Sequence, residues 1–126
     1  MPIFGIGTDI IEVQRVQKAI SKSQRFKERV FTEEEIALCE NKSNPWQSYA
    51  ARFAAKEAML KAMGTGWSGG IEWKDISVEH NEHGKPIIKV YNRVSDFCQA
   101  NHITQIHLSL THIKELAMAY VILEIN

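Results

Sequence analysis

The sequence has little cysteine, no long apolar run and no excess of charge of either sign. Cys39 and Cys98 are its only two cysteines, and neither belongs to a CxxC pair. We therefore expect neither a disulfide framework nor a thiolate metal site, and we expect a reduced, cytoplasmic setting. No apolar run reaches the roughly 18 residues of a transmembrane helix. The first ten residues also lack the pattern of a secretory signal.

The charges balance overall but are unevenly distributed. Fifteen basic residues offset fifteen acidic ones, whereas a general nucleic-acid binder usually has a basic excess. Residues 15–29 nevertheless carry six Lys or Arg and one Glu, and residues 32–40 then add four glutamates. This asymmetry indicates either a basic docking face for an acidic partner or a solvated helix, and the pattern alone does not choose between them.

The order of the patterns predicts one α+β domain over residues 1–126. Residues 3–13 alternate as a strand, with Phe4, Ile6 and Ile10 on one face. Thr32 and Glu35 predict a capping box at the start of a helix. A long helix follows from Pro45 to Gly64. The second half reads as a hairpin, a short helix and a second antiparallel pair, at 75–81, 86–92, 92–101, 106–113 and 115–125. We expect an antiparallel sheet, joined by the first strand and packed against one long and several short helices.

One carboxylate interrupts the apolar stripe of the long helix. Continuing the spacing of three to four residues from Phe53 lands on Glu57. A carboxylate buried alone would lose several kcal/mol of hydration, so it needs a partner. Lys61, one turn further on, would make it an ordinary surface ion pair. A bound cation is the alternative.

Asp9 raises the same question on the first strand. It shares a strand face with Gly5 and Gly7, whose missing side chains let another backbone or a ligand approach closely. Alternatively, Asp9 caps the helix that follows.

Cations and a glycine turn cluster at the end of the long helix. Arg52 and Lys56 are four residues apart, Lys61 follows, and Gly64–Thr65–Gly66 comes next. Cations beside exposed backbone N–H groups are typical of a phosphate-binding surface. The turn lies at a helix C-terminus, where the macrodipole repels anions, so the lysines must supply most of the attraction.

The histidines point to no catalytic centre by pattern alone. His112 alternates with Ile106, Leu108 and Leu110, which indicates a core residue more than a catalyst. His80 and His83 lie in a predicted turn without further metal ligands at useful spacing, so we expect them to be surface residues.

Six segments then occur together and in order, and their combination is more specific than any one of them. They are GIGTDIIEVQRV, RFKERVFTEEE, RFAAKEAMLKAMGTG, KDISV, HGKP and LSLTHIKELAMAYVI. Over essentially its whole length the sequence resembles the holo-[acyl-carrier-protein] synthases, the small bacterial class of 4′-phosphopantetheinyl transferases. The resemblance implies the fold of that family and Mg²⁺-dependent transfer of 4′-phosphopantetheine from coenzyme A to a serine of apo-acyl carrier protein. Adenosine 3′,5′-bisphosphate would be released. The resemblance also implies a homotrimer with active sites at the subunit interfaces.

The resemblance also implies roles for particular residues. Asp9 and Glu57 match the metal ligands and, with Lys61, would be the catalytic residues. The coenzyme A site would be lined by Arg52, Lys56, Lys61, Gly64, Thr65 and Gly66, and by Lys85, Pro86, Ser109, Thr111 and His112 of a neighbouring subunit. The acidic carrier protein would dock on Arg15, Lys22, Arg25 and Arg29, with Phe26 as an apolar anchor.

The implied chemistry suits these residue types. Mg²⁺ is usually held by one or two carboxylates, waters and phosphate oxygens. The metal and Lys61 would offset charge on the diphosphate while the carrier serine attacks the β-phosphorus. The serine proton would pass to a metal-associated water or to Glu57. The alternative function is a non-catalytic α+β module that binds an acidic protein or a phosphorylated ligand.

Overall fold

The computed structural model describes residues 2–126, with most of the helices in the first half and most of the strands in the second. The order is β1 (Ile3–Glu12), α1 (Val13–Lys22), α2 (Gln24–Val30), α3 (Glu33–Glu40), α4 (Pro45–Met63), β2 (Ile76–His80), β3 (Pro86–Val90), α5 (Asn92–Ala100), β4 (Ile103–His112) and β5 (Leu116–Ile125). A short 3₁₀ turn, Trp73–Asp75, precedes β2. The α+β prediction is confirmed. Within residues 2–126 no helix has the length and hydropathy that crossing a membrane requires.

The first strand joins the sheet formed by the last two strands, as the sequence predicts, and it pairs with the last of them. β1, β5 and β4 form an antiparallel sheet in that order, while β2 and β3 form a separate hairpin. The register of β1 shifts between Ile3 and Gly5. Phe4 therefore turns inward, where its ring meets that of Phe97 at 5.7 Å between centroids. The prediction that Phe4 shares a face with Ile6 and Ile10 is wrong, because those two side chains are exposed.

Local capping chemistry sets the helix ends where the sequence predicts them. The Thr32 N–H donates to Glu35 Oε1 at 2.9 Å, and the Glu35 N–H donates to Thr32 Oγ1 at 3.2 Å. This reciprocal capping box starts α3. Helix α4 ends at Gly64, whose φ of 79° is the left-handed conformation that glycine adopts without a Cβ penalty.

Helix α4 packs on β1 with the two backbones in direct contact. A Cβ on Gly5 would lie 1.9 Å from the carbonyl oxygen of Ala62, and one on Gly7 would lie 1.8 Å from that of Ala58. The two glycines therefore admit another backbone, not a ligand. This close approach carries Asp9, two residues beyond Gly7, to the side of α4 that bears Glu57 and Lys61.

We expect Gly7→Ala to lower the free energy of unfolding by roughly 3 kcal/mol, because the new methyl group must push α4 away from β1. Urea denaturation of the purified protein measures this. Thr104→Ala, at an exposed position in the same sheet, is the control and should change the free energy by less than about 0.5 kcal/mol. An unchanged denaturation midpoint for Gly7→Ala would show that the contact is not tight.

Candidate functional site

Asp9 on β1 is bound to Lys61 on α4. The ammonium of Lys61 donates to Asp9 Oδ1 at 3.1 Å and to the carbonyl oxygen of Thr8 at 3.0 Å. Lys61 thus reaches across to the strand, so the alternative in which it pairs with Glu57 along the helix is wrong. Asp9 does not cap α1 either, because Glu12 occupies the cap position.

Glu57 is half-buried beside this ion pair. It lines a cavity of about 240 Å³ with Leu60, Lys61, Gly64, Gly66 and Trp67. Burial raises the pKa of the Glu57 carboxyl and the nearby Asp9 carboxylate raises it further, while Lys61 and the Trp67 indole lower it in part. Two carboxylates therefore stand close together with one ammonium to offset them.

The Asp9–Glu57 pair suits a hard divalent cation. No cluster of three or more His, Cys, Asp or Glu exists among residues 2–126, so the protein offers two carboxylates and leaves the remaining positions to water or a ligand. That is the usual donor set of Mg²⁺, which keeps several waters and takes phosphate oxygens from a substrate. A cation between the carboxylates would also offset the burial and the repulsion by Asp9 that raise the pKa of Glu57.

A larger cavity lies elsewhere on the chain and brings several predicted residues together. It measures about 640 Å³, and its lining includes Lys42, Ser48, Arg52, His80, Pro86 and His112. His112 is exposed here, so the interpretation of this histidine as a core residue is wrong. Sequence reasoning missed Lys42 altogether and treated His80 as an ordinary surface residue.

Arg52 provides this cavity with a buried donor. The Arg52 side chain donates from Nε to the carbonyl oxygen of Val78 at 3.2 Å and from Nη1 to Ser48 Oγ at 2.6 Å. Its Nη2 is buried and has no hydrogen-bond partner among residues 2–126. Burial lowers the pKa of His80, and the charges of Arg52 and Lys42 lower it further. The cavity is thus an electropositive site with an unused buried donor, which favours an anion.

The two cavities lie on different sides of α4. Arg52 lines one and Lys61 lines the other. Nine residues are two and a half turns of an α-helix, so these two positions point in opposite directions, about 180° apart.

The structure contradicts the predicted ligand role of Lys56. Its side chain is completely buried and its Nζ lies 2.8 Å from Glu35 Oε1. The same ammonium donates to the carbonyl oxygens of Val30, Trp73 and Ile76, at 2.8, 3.1 and 2.6 Å. A fully bonded interior cation cannot also bind coenzyme A, so Lys56 has a structural role.

The remaining predicted ligands lie at the surface. Gly64 and Gly66 flank Thr65 at the smaller cavity, which keeps this turn beside Glu57 and Lys61. Lys85 is exposed in the β2–β3 turn, and Ser109 and Thr111 are exposed on β4. These three lie outside the linings of both cavities.

The predicted docking residues form an exposed basic surface on α1 and α2. Arg15, Lys22, Arg25 and Arg29 are all exposed. None of the four makes an ion pair within residues 2–126. Phe26 is half-buried and stacks on Phe53, with 6.5 Å between ring centroids. Four unpaired cations beside a half-buried ring can receive an acidic protein surface.

Comparison with known proteins gives consistent matches over nearly the whole chain. Residues 5–121 match the model of the 4′-phosphopantetheinyl transferase superfamily. The chain is 43% identical to the "Holo-[acyl-carrier-protein] synthase" of Solibacter usitatus, over 97% of this chain and 98% of that protein. It also resembles the crystal structure of a holo-[acyl-carrier-protein] synthase from Neisseria meningitidis, with a TM-score of 0.89 and 34% identity over 98% and 99% of the two chains. A Bacillus anthracis holo-(acyl-carrier-protein) synthase in complex with CoA (3′,5′-ADP) gives a TM-score of 0.80 and 40% identity, over 98% of each chain.

We expect Glu57→Gln to stabilise the protein against urea at about pH 7 in magnesium-free buffer. A carboxyl whose pKa is raised by folding destabilises the folded state wherever it is ionised, and this cost disappears below the pKa of the unfolded chain. The gain should therefore vanish at about pH 3. Glu12→Gln, an exposed residue whose side chain makes no capping hydrogen bond, is the control and should show no such gain. A Glu57→Gln variant that is less stable at neutral pH would refute the predicted cost of ionising Glu57 in the folded protein.

Proposed function

The chain belongs to the 4′-phosphopantetheinyl transferase superfamily and is a transferase, and we propose that it moves 4′-phosphopantetheine from coenzyme A to a serine of an apo-acyl carrier protein. Adenosine 3′,5′-bisphosphate is the second product. The observation that carries this proposal is the cluster of Asp9, Glu57 and Lys61, in which Glu57 and Lys61 line one cavity and Asp9 is bound to Lys61. A binding module would not need two mutually repelling carboxylates there, so the cluster favours catalysis over the non-catalytic alternative.

Asp9 and Glu57 would hold Mg²⁺, which when bound supplies positive charge to the diphosphate of coenzyme A. Asp9 comes from a strand and Glu57 from a helix, so both carboxylates stand on regular backbone. Lys61 is fixed by its bonds to Asp9 and Thr8. Its charge would stabilise the negative charge that grows on the leaving bisphosphate. The nucleophile is the hydroxyl of the carrier serine, so the transferase needs none of its own.

The 3′-phosphoadenosine end of coenzyme A would occupy the larger cavity. Its volume of about 640 Å³ falls within the usual range for small-molecule sites. The unused Nη2 donor of Arg52, with Lys42 and His112, would bind the 3′-phosphate, since charge-assisted bonds to phosphate are strong.

One coenzyme A molecule would bind to the larger cavity of one subunit and to the Asp9–Glu57 site of a neighbouring subunit. The cavities face opposite sides of α4, so a ligand that uses both must bridge neighbouring copies of the chain. The outer face of the sheet supports such an assembly, because Ile6, Ile10 and Tyr120 are 58, 54 and 50% exposed on it. An apolar patch of this kind is typical of an interface. We propose a homotrimer with the active sites between subunits.

The carrier protein would dock on the basic surface of α1 and α2. Acyl carrier proteins are acidic, and the exposed, unpaired arginines of this surface would attract them. Phe26 would add an apolar contact beside these charges. Both cysteines are buried free thiols, which suits a cytoplasmic enzyme.

Incubation with coenzyme A, Mg²⁺ and an apo-acyl carrier protein should add one phosphopantetheine to the carrier, as measured by intact-protein mass spectrometry. A chelator should abolish the gain. Asp9→Asn should slow it by roughly 10²–10³-fold, because one carboxylate of the metal site is lost. Glu12→Gln, three residues further along β1, should transfer at the normal rate. If Asp9→Asn kept normal turnover, the metal site would be misassigned.

Mixing two inactive variants tests the shared site. We expect Asp9→Asn and His112→Glu each to be inactive, the second because a carboxylate replaces a phosphate-binding imidazole. In co-expressed mixed oligomers, about one quarter of the interfaces would combine an intact Asp9 with an intact His112. Activity should then recover to about that fraction, whereas either variant alone stays inactive. A mixed oligomer without recovery would place each site within one chain.

A further inference from the structure

A third cavity borders the Asp9–Glu57 site but contains none of its charged residues. It measures about 500 Å³ and is lined by Arg29, Trp67, Ile71, Glu72, Trp73 and Lys74. Trp67 also lines the smaller cavity that holds Glu57 and Lys61. Trp67 therefore borders both spaces. We call this third space the tryptophan pocket.

Packed aromatic rings hold the wall of the tryptophan pocket in place. The rings of Trp67 and Trp73 lie 4.1 Å apart between centroids, and those of Trp73 and Phe53 lie 4.9 Å apart. Phe26 extends the row as far as α2. Trp73 is also anchored through its backbone, since its carbonyl oxygen accepts a hydrogen bond from Lys56. The wall is thus well supported, yet Trp67 remains 38% exposed.

We propose that the tryptophan pocket binds the thiol-bearing half of the pantetheine arm of coenzyme A, with room for a short acyl group on the sulfur. This inference rests on the proposed function. It makes Trp67 a residue that determines how the donor's arm lies and which thioesters are accepted.

The direction of the donor molecule supports this occupant. The reacting phosphorus must lie beside Asp9, Glu57 and Lys61, and the nucleotide end leaves towards the Arg52 cavity of a neighbouring subunit. The pantetheine arm must extend from the phosphorus in another direction. Trp67 borders a cavity of the same chain that could receive it.

The chemistry of the lining also matches the arm. Pantetheine is uncharged, with methyl groups, two amides and a terminal sulfur. Trp67, Ile71 and Trp73 offer apolar contact, and sulfur packs favourably against aromatic rings. Arg29, Glu72 and Lys74 supply polar groups for the amides. The volume of about 500 Å³ is within the range of ligand sites.

Calorimetric titration of three ligands against matched variants tests the proposal. The ligands are coenzyme A, S-butyryl-coenzyme A and adenosine 3′,5′-bisphosphate, which lacks the arm. Trp67→Ala should weaken coenzyme A binding roughly tenfold, and S-butyryl-coenzyme A binding by more. The bisphosphate should bind as it does to the unchanged protein. Trp67→Phe, which keeps a ring, should restore most of the affinity.

Two further variants keep the test decisive. Tyr91→Ala removes an aromatic side chain that is 43% exposed and lines none of the three cavities described here, so all three affinities should stay unchanged. Ile71→Trp fills the pocket without removing the ring wall. It should weaken S-butyryl-coenzyme A more than coenzyme A, which covers the case in which Trp67→Ala does not fold.

Two outcomes would overturn the inference. Equal losses for the bisphosphate and coenzyme A would assign Trp67 to the nucleotide site or to the fold. Unchanged coenzyme A affinity with a raised KM for the carrier protein would assign the pocket to the carrier. A failure of the proposed function is distinguishable from both, because the unchanged protein would then neither bind coenzyme A nor modify the carrier.

Discussion

The contact between the backbone of α4 and the glycines of β1 is the constraint on which the site depends. A carboxylate on a strand and a carboxylate on a helix converge only if the two elements lie closer than side chains normally permit. Gly5 and Gly7 allow this, because no Cβ fits above either of them. The resulting proximity places Asp9 within reach of Lys61 and within the electrostatic range of Glu57. The site is therefore preorganised by packing and not by a loop.

A buried ion pair supports α4 from the opposite direction. Glu35 accepts from the N–H groups of Thr32 and Val78 while it pairs with Lys56, so one carboxylate joins α3 and β2 to α4. Lys56 also connects α4 to the end of α2 and to the 3₁₀ turn, because its ammonium donates hydrogen bonds to their carbonyl oxygens. Every polar group in this cluster has a partner, which is the condition under which buried charges are tolerated. Lys56 and Glu57 are neighbours in sequence, yet one supports the interior and the other faces the cavity.

Much of the fold could be predicted from the sequence because local chemistry determines it. The Thr32–Glu35 capping box and Gly64 end their helices by interactions within a few residues, and those predictions are confirmed. The inward turn of Phe4 could not be predicted, because it results from a register shift against β5. The burial of side chains along the long helix also departs from a simple amphipathic pattern. Arg52 and Lys56 are polar by type but buried by position, and only their tertiary partners reveal this.

The candidate site was predictable in part, and chiefly through resemblance. The interrupted apolar stripe identified Glu57 as unusual, but spacing alone could not distinguish a metal ligand from a partner of Lys61. Lys42 and His80 join the larger cavity only through folding, so they left no local signal. Trp67 and Trp73 left a weak one, since two of the three tryptophans lie within seven residues of each other beside a glycine-rich turn.

The opposed faces of α4 have a consequence for the enzyme as a population of molecules. In the proposed trimer a single chain contributes one part to each of two active sites and contains no complete site. Only the assembled trimer would therefore be catalytic. Dilution below the dissociation constant of the trimer would then inactivate the chains without unfolding them. The cellular abundance of the protein would set the fraction of chains that work, as well as their number.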